Sequence, residues 1–160
     1  MSREMYKKER QIPDETVKKM LENYGSEGTL AVNGDDGYPY CVPMNFVYVN
    51  DAIYMHSAKY GYKIDALQAD QKACFSVIVR SEVVPELFTT RYESIVATGD
   101  IEFIEDDSER QLVMEAFIDR FSPDFREGGM KFIKGAMGKT AVLKLNIKEM
   151  KGKAFRSDKW

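Results

Sequence analysis

One histidine, His56, serves the whole chain of 160 residues, and that scarcity excludes any site built on two or more imidazoles. Cysteine is nearly as rare. Cys41 and Cys74 are too few and too far apart for a zinc-binding pattern, and in a reducing compartment they read as two buried thiols. No apolar run is long enough to span a bilayer, and the start, MSREMYKKER, is charged where a signal peptide would be apolar. The expected location is therefore the cytoplasm, with no membrane partner. Positive charge is also in short supply: the formal net charge is −3 and the pI about 5.3. That argues against a nucleic-acid binder, which carries a basic domain or stripe.

Apolar residues make up 44% and charged residues 31%, the proportions of a globular domain with a substantial core. Aromatics reach 12%, suiting either a flat ligand or a β-rich core. No repeat, low-complexity run or linker interrupts residues 1–160, so one domain is expected. In IPDETVKKMLENYG, Val17, Met20, Leu21 and Tyr24 recur at helical spacing, with acidic residues in front and Gly25 as a stop. Residues 28–58 read as three strands joined by turns at Asp35-Asp36-Gly37 and Asn50-Asp51. On the long middle strand, Tyr40, Val42, Met44, Phe46 and Tyr48 share one face, and Pro39 and Pro43 predict an edge or a bulge.

Further along, AKYGYKIDALQAD predicts a short helix with Tyr60, Ile64 and Leu67 inward, followed by a strand, KACFSVIVR. SEVVPELFTT reads as a loop or lid, and RYESIVATGDIEFIED as one long strand or a pair bent at Gly99. A helix with an apolar stripe of Leu112, Val113, Ala116, Phe117 and Phe121 comes next. A Gly-rich stretch follows it, and a last strand runs from Thr140. Five or six strands in sequential hairpins with a few helices predict an α+β domain built on a small antiparallel barrel.

Two segments carry chemical suggestions. GAMGKT ends like a phosphate-binding P-loop, but Ile133 stands where the first glycine should be, and a strand follows where a helix should open. Nucleotide hydrolysis there is excluded. The other is IYMHSAKYGYKIDAL, residues 53–67. An apolar strand runs into His56 and Ser57, and Lys59 and Lys63 follow at the spacing of neighbours on a helix face. A hydroxyl and two ammonium groups at a helix N-terminus can hold a phosphate; equally, both lysines can lie on a solvated helix face. His56 by itself, a lone histidine at a strand end, is more often structural, so catalysis cannot be read from it.

The pattern Gly28 to Ala31, Asp36 to Pro39, Val42 to Phe46 and His56 to Ala58, followed by Gly61 and Lys63, resembles the pyridoxamine 5′-phosphate oxidase-like, FMN-binding split-barrel proteins. Within them it is most similar to the nitroimidazole-resistance (Nim-type) branch. Tyr92 to Asp106 and the last strand match as well. The resemblance implies a six-stranded antiparallel split β-barrel with peripheral helices, a homodimer, and FMN bound between subunits. Carried over residue by residue, Lys63 and Ser57 would hold the flavin phosphate, with Lys59 a weaker candidate. Met44, Asn45 and Phe46 would run along the ring, Ser94 would add a contact, and His56 would sit near the flavin as the candidate catalytic residue. No metal site is implied. The implied activity is an FMN-dependent oxidoreductase using NAD(P)H on nitroaromatic or related small molecules. A second basic cluster for a pyridoxal phosphate substrate is not evident. The alternatives within the same fold are a non-catalytic flavin binder, a deazaflavin protein, or a haem protein with His56 on the iron.

Overall fold

The computed structural model describes residues 4–156; Trp160 lies outside them. Helix α1 (Asp14–Asn23) follows a two-residue strand, β1 (Gln11–Ile12). Asp14 and Glu15 in its first turn complement the helix dipole, and Val17, Met20 and Leu21 form its buried stripe. Strands β2 (Glu27–Asn33), β3 (Pro39–Asn45), β4 (Val47–Val49) and β5 (Ala52–Ala58) come next, then α2 (Tyr62–Ala69). Strands β6 (Lys72–Val84) and β7 (Thr89–Phe103) form a long hairpin. Helices α3 (Asp107–Phe121) and α4 (Arg126–Ala136) lead into β8 (Thr140–Phe155). Asp106 caps α3, its carboxylate accepting from the Glu109 amide at 2.8 Å.

All pairings are antiparallel, in the order β3-β2-β6-β7-β8-β5-β4, with β1 added on β8. Strands β3 and β4 stand at opposite ends of this order, yet only Phe46 separates them in the chain. The sheet must therefore curl until its two ends approach. Its concave side holds Leu30, Phe46, Met55, Phe75, Ile101 and Leu145, and α1 and α2 add Leu21, Ile64 and Leu67 to the same cluster. A second apolar cluster joins Tyr54 and Val142 on the outer side to Val113 and Phe117 of α3 and Ile133 of α4.

The architecture is α+β with a curled antiparallel sheet, but the strand count exceeds the six expected. Seven strands make the main order and β1 is an eighth. The physical reason is Phe46. Its ring is fully buried against Phe75, edge to face at 5.3 Å, and anchoring it there breaks the middle strand. The β2–β3 ladder runs through both prolines and stops at Asn45. As expected, β3 is an edge. The other expected turn, Asn50-Asp51, has positive φ at both residues, the form that matches strand twist in a two-residue hairpin loop.

Four further expectations change. Cys41 is not a buried thiol: it lies on the edge strand β3 and is exposed, and Cys74 is only partly buried. Residues 81–90 are not a lid: Ser81 pairs with Tyr92 and Val84 with Thr89, because β-branched residues continue both strands up to Pro85. Tyr60 does not face inward; it precedes α2 and is 76% exposed. In α3, Leu112 and Phe121 are exposed, and Met114 and Ile118 are buried beside Val113 and Phe117. Most of the Gly-rich stretch forms α4, where Met130 and Ile133 recur at helical spacing, and Met137 just past its end packs on the same cluster as α3. Strand β7 is continuous, with a register shift at Thr98/Gly99 against β8.

Candidate functional site

Strands β3 and β5 do not pair, and a cleft of about 360 Å³ opens between them. Pro43, Met44 and Asn45 line one wall, and His56, Ser57 and Ala58 line the other. Lys63 from α2 and Glu27 from β2 complete the lining. Five of the eight residues singled out in the sequence thus meet in one place: Met44, Asn45, His56, Ser57 and Lys63.

The chain enters α2 through Gly61, whose φ of +114° is open to glycine alone at little cost. The Ile64 and Asp65 amides donate back to the Gly61 carbonyl at 2.8 and 3.2 Å. The amides of Tyr62 and Lys63 precede the first intrahelical bond and have no acceptor within the helix. The Lys63 side chain is half-buried and forms no ion pair among the described residues. A free ammonium and free amides at the positive end of a helix suit an anion.

Ser57 Oγ donates to the Ala58 carbonyl at 2.7 Å. That hydroxyl can rotate toward an incoming anion. Asn45 Nδ2 donates to the Ser26 carbonyl at 2.9 Å, which fixes the amide and leaves its oxygen as an acceptor. Glu27 lies opposite Asn45 in the β2–β3 register and puts a carboxylate in the same lining.

His56 is held differently. Its ring meets Phe117 of α3 edge to face at 4.5 Å, and its Nδ1 is buried with no hydrogen-bond partner. Burial first, and the Lys63 charge second, hold the imidazole below its ordinary value of 6.5. The ring is therefore neutral at pH 7. A buried ring nitrogen left without a partner is uncommon.

The remaining three residues lie elsewhere. Phe46 is buried in the core and does not line the cleft. Lys59 lines a separate cavity of about 190 Å³ with Arg110, Glu105 and Thr140. Ser94 pairs with Lys153 of β8, whereas Ser57 pairs with Ala141. Those two positions are on the order of 40 Å apart along β8 at a rise of ~3.3 Å per residue. Sequence reasoning missed Glu27 and Phe117. The register of the β2–β3 hairpin would have placed Glu27 beside Asn45, but no local signal ties Phe117 to His56. Among the described residues, no group of three His, Cys, Asp or Glu side chains is placed to hold a metal ion, and no helix is long and apolar enough to cross a membrane.

Residues 13–154 match the family described as pyridoxamine 5′-phosphate oxidase. No curated protein sequence matches the chain. Among solved structures, the chain is similar to a candidate 5-nitroimidazole antibiotic resistance protein from Bacteroides thetaiotaomicron VPI-5482. The identity is 27% and the TM-score 0.73, over 91% of this chain and 86% of that one. A FAD and heme binding protein from Mycobacterium smegmatis shares 22% identity, with a TM-score of 0.71 over 94% of this chain and 75% of that one. A flavocytochrome from Azotobacter vinelandii shares 18%, with a TM-score of 0.75 over 96% and 73%. These last two show likeness of fold.

Proposed function

Since the chain belongs to the pyridoxamine 5′-phosphate oxidase family, we propose that the cleft between β3 and β5 binds FMN by its phosphate and that the protein is an FMN-dependent reductase of the Nim-like type. The observation that carries this is the meeting of Ser57, Lys63 and the unpaired amides of α2 in one cleft with Met44, Asn45 and His56. A phosphate dianion there gains a half-buried ammonium, a hydroxyl and the helix dipole. Asn45, fixed by Ser26, offers its oxygen to the polar edge of the ring. Met44 supplies an apolar wall, and the neutral His56 stands where it can donate or accept a hydrogen bond through Nε2.

When bound, the flavin supplies hydride and single-electron chemistry, with NAD(P)H as the donor and a small nitroaromatic as the acceptor. The chain's own part is to hold, orient and shield it. No acid–base dyad is required for that, which fits a cleft with one neutral histidine. The likeness to the nitroimidazole-resistance protein supports this substrate class.

The proposal includes a homodimer. Helices α3 and α4 cover the outer side of β4 and β5, while among the described residues the outer side of β3, β2, β6 and β7 carries no helix. Ile78 and Val96 on that face are 68% and 44% exposed. By strand alternation Ser94 and the cleft rim at Pro43 open on this same face. A second copy seated there brings its Ser94 within reach of a cleft that the first copy's Ser94 does not approach.

A haem reading rests on one observation, an imidazole held neutral, the form that ligates iron; its buried Nδ1 lacks the hydrogen-bond partner that an iron-bound histidine ordinarily has, which places haem second. The test separates the two. Purified protein is mixed with FMN and then, anaerobically, with NADPH and NADH. Flavin absorption that shifts on mixing and bleaches with the nicotinamide supports the reductase; a Soret band from bound haem and an unshifted flavin spectrum overturn it.

A further inference from the structure

The phosphate cradle proposed above depends on where the first turn of α2 lies, and one residue of that turn is tied to another part of the fold. Tyr62, the residue before Lys63, reaches to the β2–β3 turn. Its hydroxyl donates to Asp35 Oδ1 at 2.9 Å and accepts from the Asp35 amide at 3.2 Å. The ring also meets Tyr40 of β3 edge to face at 4.9 Å. Gly34 lets the hydroxyl in: a Cβ there would fall 2.6 Å from Tyr62 Oη and 2.4 Å from the Tyr38 carbonyl. The hydrogen bond to Asp35 is the main cause holding the phenol above its ordinary value of 10, so it remains a donor throughout the working pH range.

The other end of α2 is fixed separately. Asp70 accepts from Asn33 Nδ2 at 2.8 Å and from the Lys72 amide at 3.1 Å. Helix α2 also buries Ile64 and Leu67 in the core. The Tyr62 hydroxyl is thus not needed to keep the helix folded or docked. What it adds is a two-point hold on the residue at the helix start, next to the Lys63 ammonium and the two unpaired amides.

We infer that Tyr62 is a positioning residue for the anion site: through Asp35 it sets the direction of the Lys63 side chain and of the first α2 amides toward the flavin phosphate. The inference rests on the proposed FMN site and goes further, because it makes the acidic turn at residues 34–38 a part of phosphate recognition. It also separates the two halves of the flavin. Loss of the hydroxyl should weaken whatever binds through a phosphate and leave the ring's own contacts intact.

The test compares FMN with riboflavin, which lacks the phosphate, on full-length protein by quenching of flavin fluorescence. Tyr62→Phe keeps the ring contact with Tyr40 and removes both hydrogen bonds. A hydrogen bond of ordinary net worth predicts a loss of about three- to tenfold in FMN affinity, with riboflavin unchanged. Asp35→Ala removes the carboxylate end of the link but leaves the backbone amide at position 35 on the hydroxyl, so its loss should be in the same direction and no larger, and the double variant should be no worse than Tyr62→Phe alone. Equal weakening of FMN and riboflavin would make the hydroxyl a general structural contact and overturn the inference. Unchanged FMN affinity would overturn it as well. Failure of the underlying site is read on the unsubstituted protein: if it binds FMN no more tightly than riboflavin, the phosphate cradle itself is wrong.

Discussion

Lys63→Ala is the substitution on which the phosphate assignment turns. The ammonium is half-buried at the second position of α2, has no counter-ion among the described residues, and shares its cleft with Ser57 and His56. A charge-assisted hydrogen bond contributes about 1.5–3 kcal/mol net, or about 10- to 100-fold in affinity. Partial exposure places the expected loss toward the lower end of that range. Titration calorimetry with FMN reads it, with riboflavin as the control whose affinity should not move. A second readout needs no flavin. The Lys63 charge helps to hold the His56 imidazole down, so its removal should raise the His56 pKa. With one histidine in the chain, the imidazole resonances in an NMR titration need no assignment. Unchanged FMN affinity, or equal loss for FMN and riboflavin, would refute the reasoning. Lys59→Ala, in a different cavity, should leave FMN affinity as it is.

His56 also makes stability depend on pH. Its folded pKa lies below the unfolded value of 6.5, so the unfolded chain takes up a proton more readily. The contribution is present in full above pH 6.5 and is lost as pH falls from there through the folded pKa. Urea unfolding between pH 7.5 and 5 should show this slope, and His56→Gln should flatten it. The paired carboxylates Asp51, Asp70 and Glu109, held below 3.8 and 4.5, act only at lower pH. Glu27→Gln removes a carboxylate from the cleft and should tighten FMN binding by about two- to fivefold in low salt, an effect that fades as salt is raised. Val96→Glu, on the uncovered sheet face, should give a monomer by light scattering that no longer retains flavin; a flavin-loaded monomer would remove the second subunit from the site.

Much of this site is legible in local sequence because its parts are local. His56 and Ser57 end a strand, Gly61 sits at the turn, and Lys63 opens a helix, all within eight residues. Met44 and Asn45 enter only through the family resemblance, because β3 and β5 do not pair and no local pattern joins them. The rest depends on long-range geometry that periodicity does not encode. Phe46 has the right spacing for its strand face, but only the curled sheet shows its ring sunk against Phe75 and the strand broken there. Lys59 and Lys63 are spaced like helix neighbours, yet the helix starts at Tyr62 and leaves Lys59 in the loop before it, facing another cavity. The contact of Phe117 with His56 joins residues far apart in the chain through the packing of α3 on β5. Ser94 is on the expected strand, but its distance from the cleft becomes visible only in the register of β7 on β8.

The most direct measurement is an equilibrium titration of FMN with the purified protein, followed by fluorescence and by the visible spectrum. A cleft built for the flavin phosphate predicts saturable quenching with one FMN bound per chain, a shifted flavin spectrum, and binding at least tenfold tighter than that of riboflavin. FMN that stays free, or that binds no better than riboflavin, would contradict it.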